Sequence, residues 1–253
     1  MGNFYDKIAK EFGGYGFSNK EPIFTSTYPK GDPEEVFKKL ILDNSSINNT
    51  ALDVGCGDGR FTFEISPSFK LITGLDSSKG LINIANKKKR ELHSQNTNFI
   101  LADASKMPFK KDEFNLAFNR RGPSFYSEFI RVLKKGGLYI EIGIGEKDAM
   151  KLKQVFGRGQ NYGDWVSSRL KTDLNIFKSL GFKKIYAKDF YYSELYENTD
   201  EFELFLRGVP IFEDFNINKD ERYLTQYYKD HINNSGQVLL DRHRVVYALR
   251  KED

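Results

Sequence analysis

Short apolar runs alternate with amphipathic stretches along most of the chain. The runs have the length of strands, and the stretches between them carry apolar residues at helical spacing. This alternation predicts an α/β fold in which a doubly wound, mainly parallel sheet is connected by helices. The predicted strands are TALDVG (50–55), KLITGLD (70–76), TNFILA (97–102), FNLAFN (114–119) and LYIEIGI (138–144), and the predicted helices are GLINIANKKKREL (80–92) and SFYSEFIRVLKK (124–135). Gly136 and Gly137 are predicted to cap the second helix.

The pattern changes after Gly145. A helix is predicted over residues 164–181, and it is followed by two further strands, FKKIYAKDFYYSEL (182–195) and RHRVVYALRK (242–251). Residues 196–238 lie between these strands, are rich in Phe, Tyr and acidic residues, and show helical periodicity in two places. This segment is therefore predicted to be a helical insertion.

The chain length favours one domain. A chain of 253 residues can bury a full core as one large domain with an appended cap. We interpret residues 1–253 as a single domain in which residues 1–34 form an N-terminal cap segment. The insertion at residues 196–238 is expected to form a mobile lid over the cleft, because its Phe and Leu residues give it one apolar face.

Composition narrows the function classes. Lys and Arg number 39 against 35 Asp and Glu, and the net charge of +4 indicates no general nucleic-acid-binding surface. One Cys and three His provide neither an intramolecular disulfide nor a cluster for a structural metal. No stretch approaches the roughly 20 apolar residues that span a bilayer, and the N-terminal residues do not resemble a signal peptide. The expectation is a cytoplasmic protein without a bound metal.

A glycine-rich loop follows the first of these strands in the stretch LDVGCGDGRF (52–61). Its glycines are spaced G-x-G-x-G, whereas a dinucleotide fold uses G-x-G-x-x-G before a helix that faces a pyrophosphate. Asp53 and Asp58 bring two carboxylates to this loop, which disfavours a pyrophosphate and favours a ligand with a cationic amino group. Cys56 is interpreted as a small residue that offers its backbone. The loop glycines are Gly55, Gly57 and Gly59.

Two more acidic residues end the next two predicted strands. Asp76 is placed to accept hydrogen bonds from the two hydroxyls of a ribose. Asp103 can accept from an exocyclic amine while the backbone N–H of Ala104 donates to a ring nitrogen, and adenine offers this pair of groups. An isolated Asp at either position could instead cap the helix that follows, but together with the glycine loop they favour a nucleoside ligand.

The ordered segments LDVGCGDGRF, GLDSS, LADASKMPF, FNLAFNR and RVLKKGG resemble the class I S-adenosylmethionine-dependent methyltransferases. The resemblance covers residues 35–145 well. It implies a seven-stranded sheet in which a reversed last strand lies between the fifth and sixth strands. It also implies S-adenosyl-L-methionine as the cofactor, held by residues in four groups: Asp53, Gly55, Cys56, Gly57 and Gly59 at the methionine part, Asp76 and Ser77 at the ribose, Asp103 and Ala104 at the adenine, and Asn119 facing the methionine end and the acceptor.

The reaction implied by the resemblance is direct in-line displacement of the methyl group by an acceptor. Arg120 and Arg121 are predicted either to hold an anionic acceptor or to pair with acidic residues of the cap. Tyr5 and Tyr126 are candidates to orient the acceptor, and no general base is assigned. The basic run KKKR (87–90) is interpreted as a solvated helix face.

Three functions are compatible with these patterns. A small-molecule methyltransferase is the preferred interpretation. An RNA-base methyltransferase is the alternative, although the cysteine-rich zinc module of the ribosomal RNA guanine enzymes is missing from this sequence. The third interpretation is a module that binds the cofactor without turnover.

Overall fold

The computed structural model of the protein describes residues 2–16, 21–164 and 167–252. Its centre is one mixed eight-stranded sheet in the order β1-β7-β8-β6-β5-β2-β3-β4. The strands are β1 (Phe24–Thr27), β2 (Thr50–Val54), β3 (Leu71–Asp76), β4 (Thr97–Leu101), β5 (Phe114–Arg120), β6 (Leu133–Ile144), β7 (Phe182–Tyr196) and β8 (Val238–Lys251).

The predicted seven-stranded arrangement with a reversed last strand is confirmed. Strands β6, β5, β2, β3 and β4 run parallel to one another, and β8 lies antiparallel between β6 and β7. The eighth strand, β1, was not predicted and pairs antiparallel with the outer edge of β7. Its sequence FTST has one apolar residue and is mostly exposed. It therefore shows no alternation of apolar and polar positions from which a strand could be predicted.

Helices cover both faces of the sheet. Their bounds are α1 (Gly2–Phe12), α2 (Pro33–Asp43), α3 (Arg60–Ile65), α4 (Lys79–Glu91), α5 (Tyr126–Val132), α6 (Met150–Phe156), α7 (Arg169–Ser179), α8 (Thr199–Gly208) and α9 (Ile217–His231). On one face, Phe37 and Ile41 of α2 pack against the sheet, and on the other Phe129 of α5 and Phe177 of α7 do so. None of the helices in the described ranges has the length and apolar character needed to cross a membrane.

Two helix predictions were wrong at their ends. The predicted helix 124–135 ends at Val132, because Leu133 already pairs with Phe114 of the neighbouring strand. Gly136 and Gly137 therefore lie inside β6, at a shift in the register of its pairing, and they do not cap a helix. The helix predicted over residues 164–181 begins at Arg169, and residues 165–166 of that prediction lie outside the described residues.

The insertion between β7 and β8 contains α8 and α9. Its apolar residues form a separate buried cluster together with α6, in which Phe202, Leu206 and Tyr227 are almost fully buried. Phe4 and Ile8 of the N-terminal helix α1 pack against Leu204 of α8. The insertion therefore packs against α1, and α1 in turn lies at the carboxyl ends of the parallel strands.

Candidate functional site

A cavity of about 610 Å³ lies at the carboxyl ends of β2, β3, β4 and β5, where α1 covers it. Most of the predicted site residues line this cavity. They are Tyr5, Asp53, Gly55, Cys56, Gly57, Asp76, Ser77, Asp103, Ala104, Arg120 and Arg121. Open α/β sheets bind their ligands at this edge, so the topology and the sequence motifs point to the same place.

The glycine loop between β2 and α3 exposes its backbone to the cavity. Gly55 and Gly57 both have left-handed backbone conformations, with φ of 76° and 57°. A β-carbon at Gly57 would meet the Tyr15 side chain at 3.4 Å, an ordinary van der Waals distance. Glycine is therefore favoured here by the left-handed turn, while Tyr15 packs over it at ordinary contact distance.

Asp53 is the penultimate residue of β2 and is almost fully buried. Its carboxylate accepts a hydrogen bond of 2.6 Å from the Thr62 hydroxyl. Burial raises the pKa of Asp53 to about 7, although the Thr62 hydrogen bond and the charge of Arg120 act in the opposite direction. A cationic group bound beside this carboxylate would favour its ionised form.

Asp58, the second carboxylate of the loop, is already paired with basic residues. Lys88 of α4 lies 2.8 Å from one carboxylate oxygen, and the Nε of Arg60 lies 3.3 Å from the other. Burial opposes the ionisation of Asp58, but these cations keep its pKa below the usual value. The interpretation of residues 87–90 as a solvated face is therefore wrong for Lys88, and Asp58 contributes less negative charge to the cavity than expected.

Asp76 connects the glycine loop to the start of α4. One carboxylate oxygen accepts from the Gly57 N–H at 2.9 Å and the other from the Ser78 N–H at 2.8 Å. Burial raises the pKa of Asp76, while these backbone hydrogen bonds lower it. Each carboxylate oxygen can accept more than one hydrogen bond, so Asp76 can brace the loop and still accept from a ligand in the cavity.

Asp103 and Ala104 lie beyond the end of β4. The Asp103 carboxylate is exposed and accepts from the Ser105 N–H at 2.8 Å, while Ala104 is buried. The backbone hydrogen bond to Ser105 lowers the pKa of Asp103. Asp53, Asp76 and Asp103 thus lie at or near the carboxyl ends of three neighbouring parallel strands along one wall of the cavity.

Arg120 and Arg121, at the carboxyl end of β5, form the opposite end of the cavity wall. Both guanidinium groups donate to the carboxylate of Glu34, one to each oxygen. Burial opposes the ionisation of Glu34, but the charges of Arg121 and Arg120 hold its pKa at about 2. The arginines thus pair with an acidic residue, as one of the two sequence interpretations required. This residue is the last of the predicted N-terminal cap segment, residues 1–34, and lies in the first turn of α2.

The roof of the cavity comes from the N-terminal segment. The rings of Tyr5 and Tyr15 stack with their centres 6.0 Å apart. Asp6 accepts hydrogen bonds from the Ser78 hydroxyl and the Gly80 N–H, and it thereby attaches α1 to the start of α4. Burial raises the pKa of Tyr5 well above the usual value, so its phenol stays protonated at neutral pH.

Three predicted site residues do not line the cavity. Gly59 packs into the interior, where a β-carbon would lie 2.8 Å from the Phe99 ring. Asn119 is fully buried, and its amide holds the turn after β5 by hydrogen bonds with Gly122 and Pro123.

Tyr126 is also misplaced by the sequence interpretation. Its ring is buried beside Phe177, and its hydroxyl donates to Asp173 at 3.1 Å. The face of helix α5 that carries Tyr126 packs against the sheet. Tyr126 therefore belongs to the core and not to the acceptor side.

Sequence reasoning missed several residues of the cavity wall. Tyr15, Phe61, Pro123, Phe125 and Gln160 line it as well. Phe61 is the last residue of the stretch LDVGCGDGRF, whereas the other four lie in loops with no local motif and only the fold brings them to the cavity. None of residues 196–238, all of which are described, lines the cavity directly, and the mobility of that insertion stays a prediction.

Comparisons with known proteins agree with this geometry. A family model described as a methyltransferase domain matches residues 45–197. A demethylmenaquinone methyltransferase of Lactococcus lactis is 34% identical over 116 residues, which cover 42% of this chain and 46% of that protein. A Bacillus subtilis protein provisionally named a 23S rRNA (guanine-N(1)-)-methyltransferase is 33% identical over 98 residues, covering 37% of this chain and 33% of that one. The chain thus spans less than half the length of these two relatives.

Solved structures of other proteins have a similar fold. Geranyl diphosphate C-methyltransferase from Streptomyces coelicolor, solved with S-adenosyl-L-homocysteine, superimposes with a TM-score of 0.56 at 16% identity. The match covers 98% of both chains, and at this identity it supports the fold alone. The sheet order and the acidic residues at or near the carboxyl ends of β2, β3 and β4 agree with the family match. That match shows that the chain belongs to the class I S-adenosylmethionine-dependent methyltransferases.

Proposed function

We propose that the protein transfers the methyl group of S-adenosylmethionine to a small-molecule acceptor. The observation that carries this proposal is the row of Asp53, Asp76 and Asp103 along one cavity wall beneath the tyrosine roof. Their chemistry matches a ligand that has a cationic amino group, a ribose diol and an adenine amine. The proposal therefore combines the charge of the wall with the family to which the chain belongs.

The residues in the cavity fit this cofactor part by part. Asp76 would accept hydrogen bonds from the ribose hydroxyls, and Asp103 with the backbone of Ala104 would recognise adenine. Asp53, whose pKa is about 7, would gain its charge partner in the amino group of the methionine part. When bound, the cofactor supplies a methyl group already activated on a sulfonium.

The size and cover of the cavity favour a small acceptor. Its volume of about 610 Å³ lies within the range of small-ligand sites, roughly 300–1,000 Å³, and must be shared with the cofactor. Tyr5 and Tyr15 close the side above the glycine loop. A base presented by a folded RNA would have to displace part of this roof.

The protein contributes alignment and exclusion of water. Tyr5 and Tyr15 cover the glycine loop, and Phe61 and Phe125 add apolar surface to the wall near the arginines. Tyr5 keeps its proton, so it can orient an acceptor by hydrogen bonding but does not act as a base at neutral pH. Positioning of this kind accounts for a large share of the rate of a displacement reaction between two bound reactants.

An acceptor screen tests the proposal. Purified protein is incubated with radiolabelled S-adenosylmethionine and either a deproteinised metabolite extract or bulk RNA. We expect label in the small-molecule fraction, and label found only in RNA would favour the second candidate suggested by the Bacillus subtilis relative. Cofactor binding without label in either pool would support the non-catalytic module.

A further inference from the structure

We propose that the acceptor carries an anionic group, a carboxylate or a phosphate, and that Arg120 and Arg121 bind it. This inference rests on the proposed function and names the class of its substrate. The two guanidinium groups line the cavity and keep 37% and 24% of their side-chain surface exposed. Arg120 ends β5 and Arg121 follows it, at the end of the wall opposite to Asp103.

The backbone brings both side chains to the same side. Consecutive residues of a strand point in opposite directions, but Arg121 has a φ of 60° and so lies in the left-handed region. This conformation costs a residue with a β-carbon roughly 1–2 kcal/mol. The Arg121 N–H still bonds the Ile142 carbonyl at 2.8 Å, and both guanidinium groups reach Glu34. A conformation of this cost next to a cavity points to a binding role.

The two guanidinium groups retain unused donors. Each has five N–H groups, and the hydrogen bonds found within the described chain use one from Arg120 and one from Arg121, both to Glu34. Structural arginines of this protein behave differently. Arg131 divides its N–H groups between Glu128 and two main-chain carbonyls, and Arg169 divides its own between Glu141, Asp173 and a main-chain carbonyl.

The charge at this end of the cavity is unbalanced. Two guanidinium groups share the one carboxylate of Glu34, which leaves a net positive charge on the wall. The charge of Arg244 in β8 also acts on Glu34, but the Arg244 guanidinium is itself paired with the buried carboxylate of Asp148. A bound sulfonium cofactor increases the excess, and an anionic acceptor would offset it. Glu34 sits in the first turn of α2, behind the capping residue Asp32, and holds the guanidinium groups in place before the acceptor binds.

The test divides the acceptor pool by charge. A deproteinised metabolite extract is passed over an anion exchanger, and the retained and unretained pools are each incubated with protein and radiolabelled S-adenosylmethionine. We expect at least about tenfold more label with the retained pool, since charge-assisted recognition by arginine is strong. Equal label in the two pools, or more in the unretained pool, would overturn the proposal. Phosphatase treatment of the retained pool abolishes labelling if the group is a phosphate and leaves it intact if it is a carboxylate.

Two variants assign the effect to the arginine pair. Arg121→Gln should reduce labelling by about tenfold or more at limiting extract, while its affinity for S-adenosylhomocysteine, measured by calorimetry, stays within about twofold. Arg120→Gln should behave alike, and Arg90→Gln, which removes the same charge from an exposed site on α4, should change neither.

The outcomes separate this inference from the proposed function. If Arg121→Gln and Arg120→Gln reduce the affinity for S-adenosylhomocysteine by as much as they reduce labelling, the pair binds the carboxylate of the cofactor and the acceptor proposal is wrong. If the wild-type protein does not bind S-adenosylhomocysteine at all, the proposed function itself fails.

Discussion

The two ends of the cavity wall differ in charge and in how they are built. The acidic end consists of Asp53, Asp76 and Asp103, each at or near the carboxyl end of a strand. The basic end consists of Arg120 and Arg121, held by Glu34, which lies 86 residues before the first of them. The acidic end is thus made from local loop chemistry, and the basic end from a contact that only the tertiary fold creates. This difference suggests that the acidic end serves the ligand common to the family, whereas the basic end selects the acceptor.

The largest effect is expected from Asp76→Ala, which tests the acidic end. Loss of two ribose hydrogen bonds should weaken S-adenosylhomocysteine binding by about 2–3 kcal/mol, or roughly 30- to 150-fold. The thermal midpoint should also fall, because the N–H groups of Gly57 and Ser78 lose their acceptor. Calorimetry and thermal unfolding measure the two effects. A lowered midpoint with unchanged affinity would show that Asp76 only braces the loop.

The second effect concerns the basic end and acid stability. The pKa of Glu34 is lowered from 4.5 to about 2, so its stabilising contribution is present above pH 4.5 and is lost as the pH falls towards 2. For a partly exposed group we expect this contribution to be about 2 kcal/mol. Urea unfolding between pH 6 and pH 3 should show a weaker pH dependence for Glu34→Gln than for the wild type. Equal pH dependence in both proteins would contradict the ion pairing described at this end.

The third effect is a pH dependence of cofactor binding that originates at Asp53. The raised pKa of about 7 means that stability contributed by the protonated carboxyl is present at low pH and is lost as the pH rises through 7. Because a cationic amino group favours the carboxylate, affinity for S-adenosylhomocysteine should rise about tenfold between pH 6 and pH 7.5. Asp53→Asn should remove this rise. The same rise in the variant would mean that another group is responsible.

The smallest effect is expected at the roof. Asp6→Ala removes the hydrogen bonds from Ser78 and Gly80 that attach α1 to α4, and it should weaken cofactor binding about fivefold. The exposed Lys10 on the same helix provides the control variant Lys10→Ala. Calorimetry with S-adenosylhomocysteine compares the two. Equal affinities would indicate that α1 does not contribute to closing the cavity over the cofactor.

The sequence was sufficient to predict the strands and those site residues that lie next to them in the chain. The apolar runs of β2 to β5 identify buried parallel strands, and the acidic residues at or near the carboxyl ends of β2, β3 and β4 could be placed at the sheet edge without a structure. It was not sufficient for side chains whose direction depends on packing. Asn119 and Tyr126 lie close to the cavity in sequence, but one supports a turn and the other faces the core.

Long-range contacts were also beyond the reach of sequence patterns. Asp6 and Ser78 are 72 residues apart, and no local motif relates them. Strand β1 carries no apolar alternation and forms only because the edge of β7 offers it backbone partners. The insertion was predicted as helical from its periodicity, yet its packing against α6 and α1 depends on the completed sheet.

Calorimetric titration of the wild-type protein with S-adenosylmethionine, S-adenosylhomocysteine and NAD tests the central claim most directly. The acidic end of the wall is suited to the adenosyl ligands, whereas a pyrophosphate would meet the carboxylates of the glycine loop. We expect both adenosyl ligands to bind and NAD to give no heat of binding. Micromolar binding of NAD together with no response to the adenosyl ligands would contradict the account.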